Sequence, residues 1–543
     1  MAIKRAAVYL ITSVCACLVL SDTTHNPRSK FKAAVYEHKV ILPEKSDKPV
    51  TRQAALSLMY KNLDVYRTQT EAAGQQNVDI LVFPEDGTYG MMIKNRTHLS
   101  PYLEYIPDPL QETWNPCTEP GMHTDTEVQH RLSCLARNGA LYLVANMGDK
   151  QPCSTKTDPD CPSDGQYQFN TNVVYDPNGT LIARYHKEHL FFETQFNKPK
   201  KVNIVHFDTP FGRFGVFTCF DILFRDPPIT LVERYGIGNV VFPTAWMDAL
   251  PLLAAIQFHS SFAVKMRVNF LAANIHLPAK RFQGSGIYTP DVNANFYYNN
   301  SELSDGRLLI SELDVVHKTT PRVKEALPIV NEAPPIVNIL PVDQISHQTT
   351  NGEEFKAEVF HDLFNFVLVE ETKGSLSVCY NKLCCHLDYE KDNSSSSNND
   401  MYAFGAFDNL HTYEGQYYLQ ICTLLRCANS SKESCGSSIQ QAQTRFRYLR
   451  VKGTFGTPYV FPAILLTDSG QLKLAPKQWT FNDLVLESTE PLNFPLLSAN
   501  LFGRIYDWDE DEDSNSSGCC HGDWRLMLML LTVYCTLKIA LCA

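Results

Sequence analysis

The 543-residue sequence contains no H-E-x-x-H pair for a catalytic zinc and no glycine-rich phosphate loop. Zincin-type hydrolysis and P-loop nucleotide chemistry are thereby excluded. It has no internal repeat, so a solenoid or propeller is not expected. Positive charge is also short: 48 Lys and Arg stand against 59 Asp and Glu, a formal net charge of -11. No basic stripe offsets that balance, and nucleic acid is not an expected partner. Ser285, in "GSG", lacks the spacing of a G-x-S-x-G nucleophile elbow and reads as a close-packed turn.

The two ends carry what the middle lacks. Lys4 and Arg5 precede an apolar stretch from Ala6 to Leu20, the layout of a secretory signal peptide covering residues 1–21. At the other end, acidic "DWDEDED" and polar "SNSSGCCHGDWR" (507–525) lead into an apolar run over 526–543. Small residues, a polar spacer and a terminal apolar tail match a glycosylphosphatidylinositol (GPI) anchor signal, with Asn515 as the expected attachment residue. The alternative is a C-terminal membrane helix. The absence of a basic tail and the Lys538 interruption count against it. Asn95, Asn178, Asn299, Asn393 and Asn429 head N-x-Ser/Thr sequons, as does Asn515, which fits a glycoprotein on the extracellular face of the plasma membrane.

Of 17 cysteines, two fall in the signal segment and four lie beyond Asn515 and would leave with the anchor signal. The remaining eleven are Cys117, Cys134, Cys153 and Cys161 early, Cys379, Cys384, Cys385, Cys422, Cys427 and Cys435 late, and Cys219 between. Two even groups in an oxidising compartment predict disulfides within each, leaving Cys219 as the free thiol. A zinc site from Cys384, Cys385 and His386 is the weaker reading of the late group.

A mature chain of about 490 residues is long enough for at least two domains. Over residues 31–316, apolar strands such as "FKAAVYEH", "DILVFPE" and "NVVFPTAW" alternate with helical spacing, as at Ala55, Met59, Leu63 and Tyr66. "TNVVYDPNGTLIARYHK" reads as a hairpin turning at Asn178 and Gly179. The class is α/β with a mixed sheet. Proline-rich residues 317–354 form a linker or crossover, and 355–506 read as a smaller, mostly β domain.

Three reactive residue types end buried strands of the first domain: Glu85 in "VFPEDG", Lys187 in "RYHKEHLF" and Cys219 in "GVFTCFD". Alone, each has an ordinary reading as a turn acid, a solvated strand end or a buried cysteine. Together they lie where ligands bind in open α/β sheets. His38, His186 and His189 are read as structural or lining residues.

The order Glu, Lys, Cys resembles the nitrilase superfamily of carbon–nitrogen hydrolases. Stretches such as "PEDGTYG", "QYQFNTNVV", "RYHKEHLFFE", "GVFTCFDILFRDP" and "GTFGTPYVFP" are similar to its vanin/biotinidase branch over about residues 31–506, and most similar to vanins. The resemblance implies an α-β-β-α layered catalytic domain followed by a disulfide-linked β domain. It also implies an amidase that splits pantetheine into pantothenate and cysteamine through a cysteine thioester. Glu85 would be proton acceptor, Lys187 proton donor or oxyanion stabiliser, and Cys219 nucleophile. Glu193 would be an auxiliary acid holding Lys187, the alternative being an ordinary surface acid, and the Phe220 backbone N–H a second oxyanion donor. No cofactor or metal is implied, and a GPI-anchored monomer is expected. Cleavage of biocytin, or a catalytically silent adhesion role, are the alternatives.

Overall fold

The computed structural model describes residues 28–318, 353–392, 400–475 and 477–509. The expected signal peptide, most of the proline-rich segment, Asn393, Asn515 and the apolar tail lie outside the described residues.

The first domain contains twelve strands: β1 Lys30–His38, β2 Ile80–Val82, β3 Tyr142–Pro152, β4 Gln166–Tyr175, β5 Leu181–His186, β6 Val205–Thr209, β7 Gly212–Val216, β8 Asn239–Pro243, β9 Asn269–Ala273, β10 Ser285–Tyr288, β11 Ala294–Tyr297 and β12 Gly306–Asp314. They form two six-stranded sheets, ordered β12-β1-β2-β3-β4-β5 and β11-β10-β9-β8-β7-β6. Both are mixed: β1-β2-β3 and β7-β8-β9 run parallel, and the flanking pairs are antiparallel.

Strand alternation explains the layering. Side chains point to opposite sheet faces along a strand, and here neither face is wet. On the first sheet Phe31, Ala33, Val35, Ile80 and Val82 face the second sheet, sharing one core with Phe214, Val216, Val240 and Leu271. The intervening Ala34, Tyr36, Leu81 and Phe83 face the other way, onto Ala55, Met59, Leu63 and Tyr66 of helix Arg52–Gln75. Thr51 caps that helix by accepting from the Ala54 N–H, which satisfies one of its open donors. The second sheet is covered by helix Ala255–Met266. Continuous apolar runs, rather than alternating ones, are what such doubly covered strands need. The expected hairpin is β4–β5, its turn closed by Gly179 at φ +93°.

The second domain is all β among the described residues apart from two short 3-10 turns. Its seven-stranded antiparallel sheet comprises, in spatial order, Glu354–Val359, Asp362–Leu368, Tyr402–His411, Tyr417–Arg426, Leu496–Arg504, Val460–Asp468 and Gln471–Leu474. A five-stranded sheet packs on one face of it, and helix Ala255–Met266 meets the other through Phe258 and Phe262 against Phe461 and Phe502. One helix thus belongs to both domains.

Five disulfides join Cys117–Cys134, Cys153–Cys161, Cys379–Cys384, Cys385–Cys422 and Cys427–Cys435. Each pairs within its own early or late group. Cys385–Cys422 staples the five-stranded sheet to the seven-stranded one. Cys384 and Cys385 are both oxidised, so neither is a thiolate free to bind zinc. Cys219 is the free cysteine among the described residues. Asn95, Asn178 and Asn429 are exposed and Asn299 half-buried. One expectation fails: Ser285 is no turn but the first residue of β10, fully buried, with its hydroxyl donating to Glu37 and accepting from the Asn274 N–H. The glycines around it let the strand pass close to its neighbours; they do not expose the hydroxyl.

The disulfide map makes a chemical prediction. Denatured, unreduced mature protein should take up one equivalent of alkylating reagent per chain, and peptide mapping should find it on Cys219. Label at any of the ten paired positions would contradict the pairing.

Candidate active site

Glu85, Lys187 and Cys219 follow three separate strands and meet at one end of the two facing sheets. Glu85 lies three residues past β2, Lys187 directly follows β5, and Cys219 lies three residues past β7. The expected strand ends are therefore short loops, not strand residues. Side chains for chemistry are then held by backbone that the sheets anchor but do not occupy.

Lys187 is the centre. Its Nζ donates to Glu85 Oε1 at 2.7 Å and to Glu193 Oε2 at 2.5 Å. Lys187 and Glu85 side chains are each 2% exposed and Glu193 is 7% exposed. Glu193 is thus no surface acid. Its Oε2 also accepts the Phe191 N–H at 3.0 Å, closing the loop that carries both residues.

A chain of amides sets the carboxylates. Asn170 Nδ2 donates to Glu85 Oε1 at 2.8 Å and to Glu193 Oε1 at 2.7 Å. Asn146 Nδ2 in turn donates to Asn170 Oδ1 and Asn172 Oδ1, at 2.6 and 2.9 Å. Asn172 reaches across to the second sheet, donating to Thr218 Oγ1 at 2.7 Å, one residue before the cysteine. The other Glu85 oxygen accepts the Ala245 N–H at 2.7 Å. These asparagines were not singled out as site residues. The signal was present: "FNTNVV" puts two amides on one face of a buried strand, where unpaired polar groups are costly.

Cys219 opens the 3-10 turn Cys219–Leu223 at φ +47°. That left-handed conformation is uncommon for a non-glycine residue and marks backbone strain. Asp221 holds the bend: Oδ2 accepts the Thr218 N–H and the Tyr185 hydroxyl, and Oδ1 accepts the His189 N–H. Burial pushes Asp221 up to about 7 against the pull of Lys187 and these donors. The histidines are structural or lining: His38 meets Asn62, His186 meets Asp149, and His189 stacks on Phe224.

Electrostatics follow from burial and crowding. Burial, then the Glu85 charge, raise the Cys219 thiol well above its ordinary value, with Lys187 and Thr244 pulling the other way. The resting group is a neutral thiol. Burial works against the charge on Lys187, but Glu193 and Glu85 outweigh it and hold the ammonium well above its ordinary value. Asp86, next to Glu85, is pushed up to about 8 by burial and then by Glu85 and Glu193. Cys219 opens onto a mostly apolar cavity whose lining includes Phe191, Phe220, Trp246, Phe360 and Glu414.

The Carbon-nitrogen hydrolase family matches residues 41–236, and the Vanin C-terminal domain matches residues 353–509. The class is therefore that of carbon–nitrogen hydrolases carrying a vanin-type second domain. Over 510 residues the chain is 46% identical to a pantetheinase from Homo sapiens, covering 94% of this chain and 95% of that relative. It is 48% identical over 505 residues to a pantetheinase from Mus musculus, covering 92% and 93%. A biotinidase from Mus musculus is 42% identical over 528 residues, covering 93% and 99%. The chain belongs to the vanin/biotinidase branch of the nitrilase superfamily.

The ion group predicts how Lys187→Met should fail. The folded Lys187 pKa lies above its unfolded value, so its contribution is fully present below about 10.4, the ordinary lysine value. Removing it leaves neighbouring buried carboxylates without their cation, a loss of about 3–5 kcal/mol near neutral pH. Lys187 keeps its charge throughout the neutral range, so the deficit should be present at both pH 6 and pH 8. Urea midpoints of wild type and variant at pH 6 and pH 8 measure this; equal midpoints for the two proteins would contradict it.

Proposed function

We propose that this protein hydrolyses the linear amide of pantetheine, releasing pantothenate and cysteamine. The observation that carries the reading is the buried Lys187, gripped by Glu85 and Glu193 beside the free thiol of Cys219. Full-length relatives named pantetheinase support the choice of substrate.

The steps follow from the residues. Cys219 rests as a thiol, so it needs a base during attack. Glu85, oriented by Asn170 and the Ala245 N–H, takes the proton as sulfur bonds to the amide carbon. Lys187 and the Phe220 backbone N–H stabilise the oxyanion that develops. Glu85 then protonates the leaving amine, the carbon–nitrogen bond breaks, and a Cys219 thioester remains. Water, losing its proton to Glu85, attacks that thioester; the carbon–sulfur bond breaks, Glu85 returns the proton to the Cys219 sulfur, and the acid leaves. Glu193 positions Lys187 throughout.

Cys219→Ala should abolish cysteamine release, because no thioester can form. Glu85→Gln should lower the rate on the order of a hundredfold or more. Folded Cys219→Ala with substantial amidase activity would sink the proposal, and a folded wild type inactive on amides would favour the silent adhesion role. The biotinidase relative keeps a second substrate in view, and lysine release from biocytin, measured beside cysteamine release, decides between them.

We further propose that the mature protein is a glycoprotein monomer held at the cell surface by a GPI anchor at Asn515. No helix among the described residues is long and apolar enough to cross a membrane. Phosphatidylinositol-specific phospholipase should release the activity from expressing cells. Activity retained on the membrane, while a control anchored protein is released, would instead support a spanning helix.

A further inference from the structure

The cavity beside Cys219 is not closed by the catalytic domain alone. Phe360 and Glu414, both from the second domain, line it together with Phe191, Phe220 and Trp246. Two features of this lining exceed what packing between domains requires.

The first is a strained aromatic rim. Phe360 and His361 form the two-residue turn between strands Glu354–Val359 and Asp362–Leu368, where Val359 pairs with Asp362. Both have positive φ, 53° and 68°. Such turns favour Asn-Gly, because both central residues must be left-handed. Here two ring side chains hold those positions. Phe360 reaches the cavity, and His361 stacks on Tyr413 with centroids 3.7 Å apart. Tyr413 meets Phe192 of the catalytic domain edge-on at 6.1 Å, and Phe192 is itself left-handed at φ +51°. Strain of this kind persists only where the surrounding structure over-determines it, and it clusters at active sites and ligand clamps.

The second feature is a braced carboxylate. The Glu414 side chain is 2% exposed. Its Oε1 accepts the Tyr417 hydroxyl at 2.5 Å, and its Oε2 lies 2.8 Å from His411 Nε2. His411 Nδ1 lies 2.8 Å from Asp362 Oδ2. Burial opposes charge on His411, but its hydrogen bonds to Asp362 and Glu414 outweigh it and push the ring up to about 9. Of the two carboxylates, the one lining the cavity is that of Glu414.

We infer that Glu414 and the Phe360–His361 turn form the acyl subsite of the enzyme. There the Glu414 carboxylate accepts a hydrogen bond from a hydroxyl or amide N–H of a neutral acyl group, and Phe360 packs on its chain. This deepens the amidase reading and rests on it. In pantetheine the hydroxyls and the second amide sit on the acyl side of the scissile bond, as does the ureido group of biocytin. Catalysis is thus assigned to the first domain, and acyl choice to residues of both.

Binding is read apart from turnover by using the full-length Cys219→Ala protein and titrating pantetheine or N-pentanoylcysteamine, an amide lacking acyl-side donors. Adding Glu414→Gln should weaken pantetheine on the order of ten- to a hundredfold, as loss of a charged hydrogen bond does. N-Pentanoylcysteamine should change little. Phe360→Gly is the companion variant, since glycine suits the turn and preserves folding; it should weaken both ligands. Equal loss for both ligands in Glu414→Gln would reduce Glu414 to a brace and overturn the inference, as would unchanged pantetheine binding in both variants. Turnover by the Cys219-intact protein reports on the amidase reading separately.

Discussion

One ammonium between two carboxylates governs this structure. Lys187, Glu85 and Glu193 are all buried, and three isolated charges there would be prohibitively costly. They are tolerable because each satisfies another at 2.5–2.7 Å and because Asn170 donates to both acids. The same arrangement serves chemistry. A lysine held charged can stabilise an anion, and a carboxylate held still can take a proton along a fixed line. The cost shows in the neighbours. Asp86 is pushed up to about 8, first by burial and then by the charges of Glu85 and Glu193 beside it. The loop after it is equally crowded: a Cβ at Gly87 would lie 1.9 Å from the hydroxyl of buried Tyr66, so any larger residue there must displace that ring.

The second domain is tied to this group, not appended to it. Arg504, fully buried in the seven-stranded sheet, donates from Nε to the Leu223 carbonyl at 2.7 Å. Leu223 closes the 3-10 turn that Cys219 opens. A guanidinium is the suitable group for this task, because it spans several acceptors with a rigid fork. Arg504 also reaches the Tyr418 carbonyl and Asp509, and lies over the Tyr417 ring. The strain at the nucleophile is therefore held from both domains. Gln257, on the shared helix, adds a second tie by donating to Ser498.

Much of this was legible in the sequence, for identifiable reasons. The layered α/β domain showed in apolar runs too continuous for one-sided strands, and the helix face Ala55, Met59, Leu63, Tyr66 sits where its spacing put it. Cys219 stood out by parity, since ten other cysteines pair within two even groups. What stayed hidden is three-dimensional. Nothing local distinguishes Glu193 from a surface acid, because its meaning comes from the turn at Phe191–Phe192 that brings it back to Lys187. Asn146, Asn170 and Asn172 look like interruptions of apolar strands until strand register brings them together. Ser285 misled for the opposite reason: its glycine neighbours suggested a turn, yet they serve a strand that must pass close to Glu37. Glu414 stands 195 positions after Cys219 in the sequence, and only the fold brings both to one cavity.

The five disulfides pose a problem for the remaining thiol, since an environment that forms cystines also oxidises exposed thiolates. Cys219 escapes through the features that define the site. It is 5% exposed, and all ten other cysteines among the described residues are already paired. Burial and the nearby Glu85 charge keep it protonated at rest, and oxidation, like acyl transfer, proceeds through the thiolate. A thiolate poised permanently by Lys187 would react with oxidants as readily as with substrate. A neutral thiol beside a waiting base reacts only when an amide carbonyl arrives to draw out the sulfur electrons and hand the oxygen charge to Lys187. Protection and catalysis are thus the same electrostatic balance, read without substrate and with it.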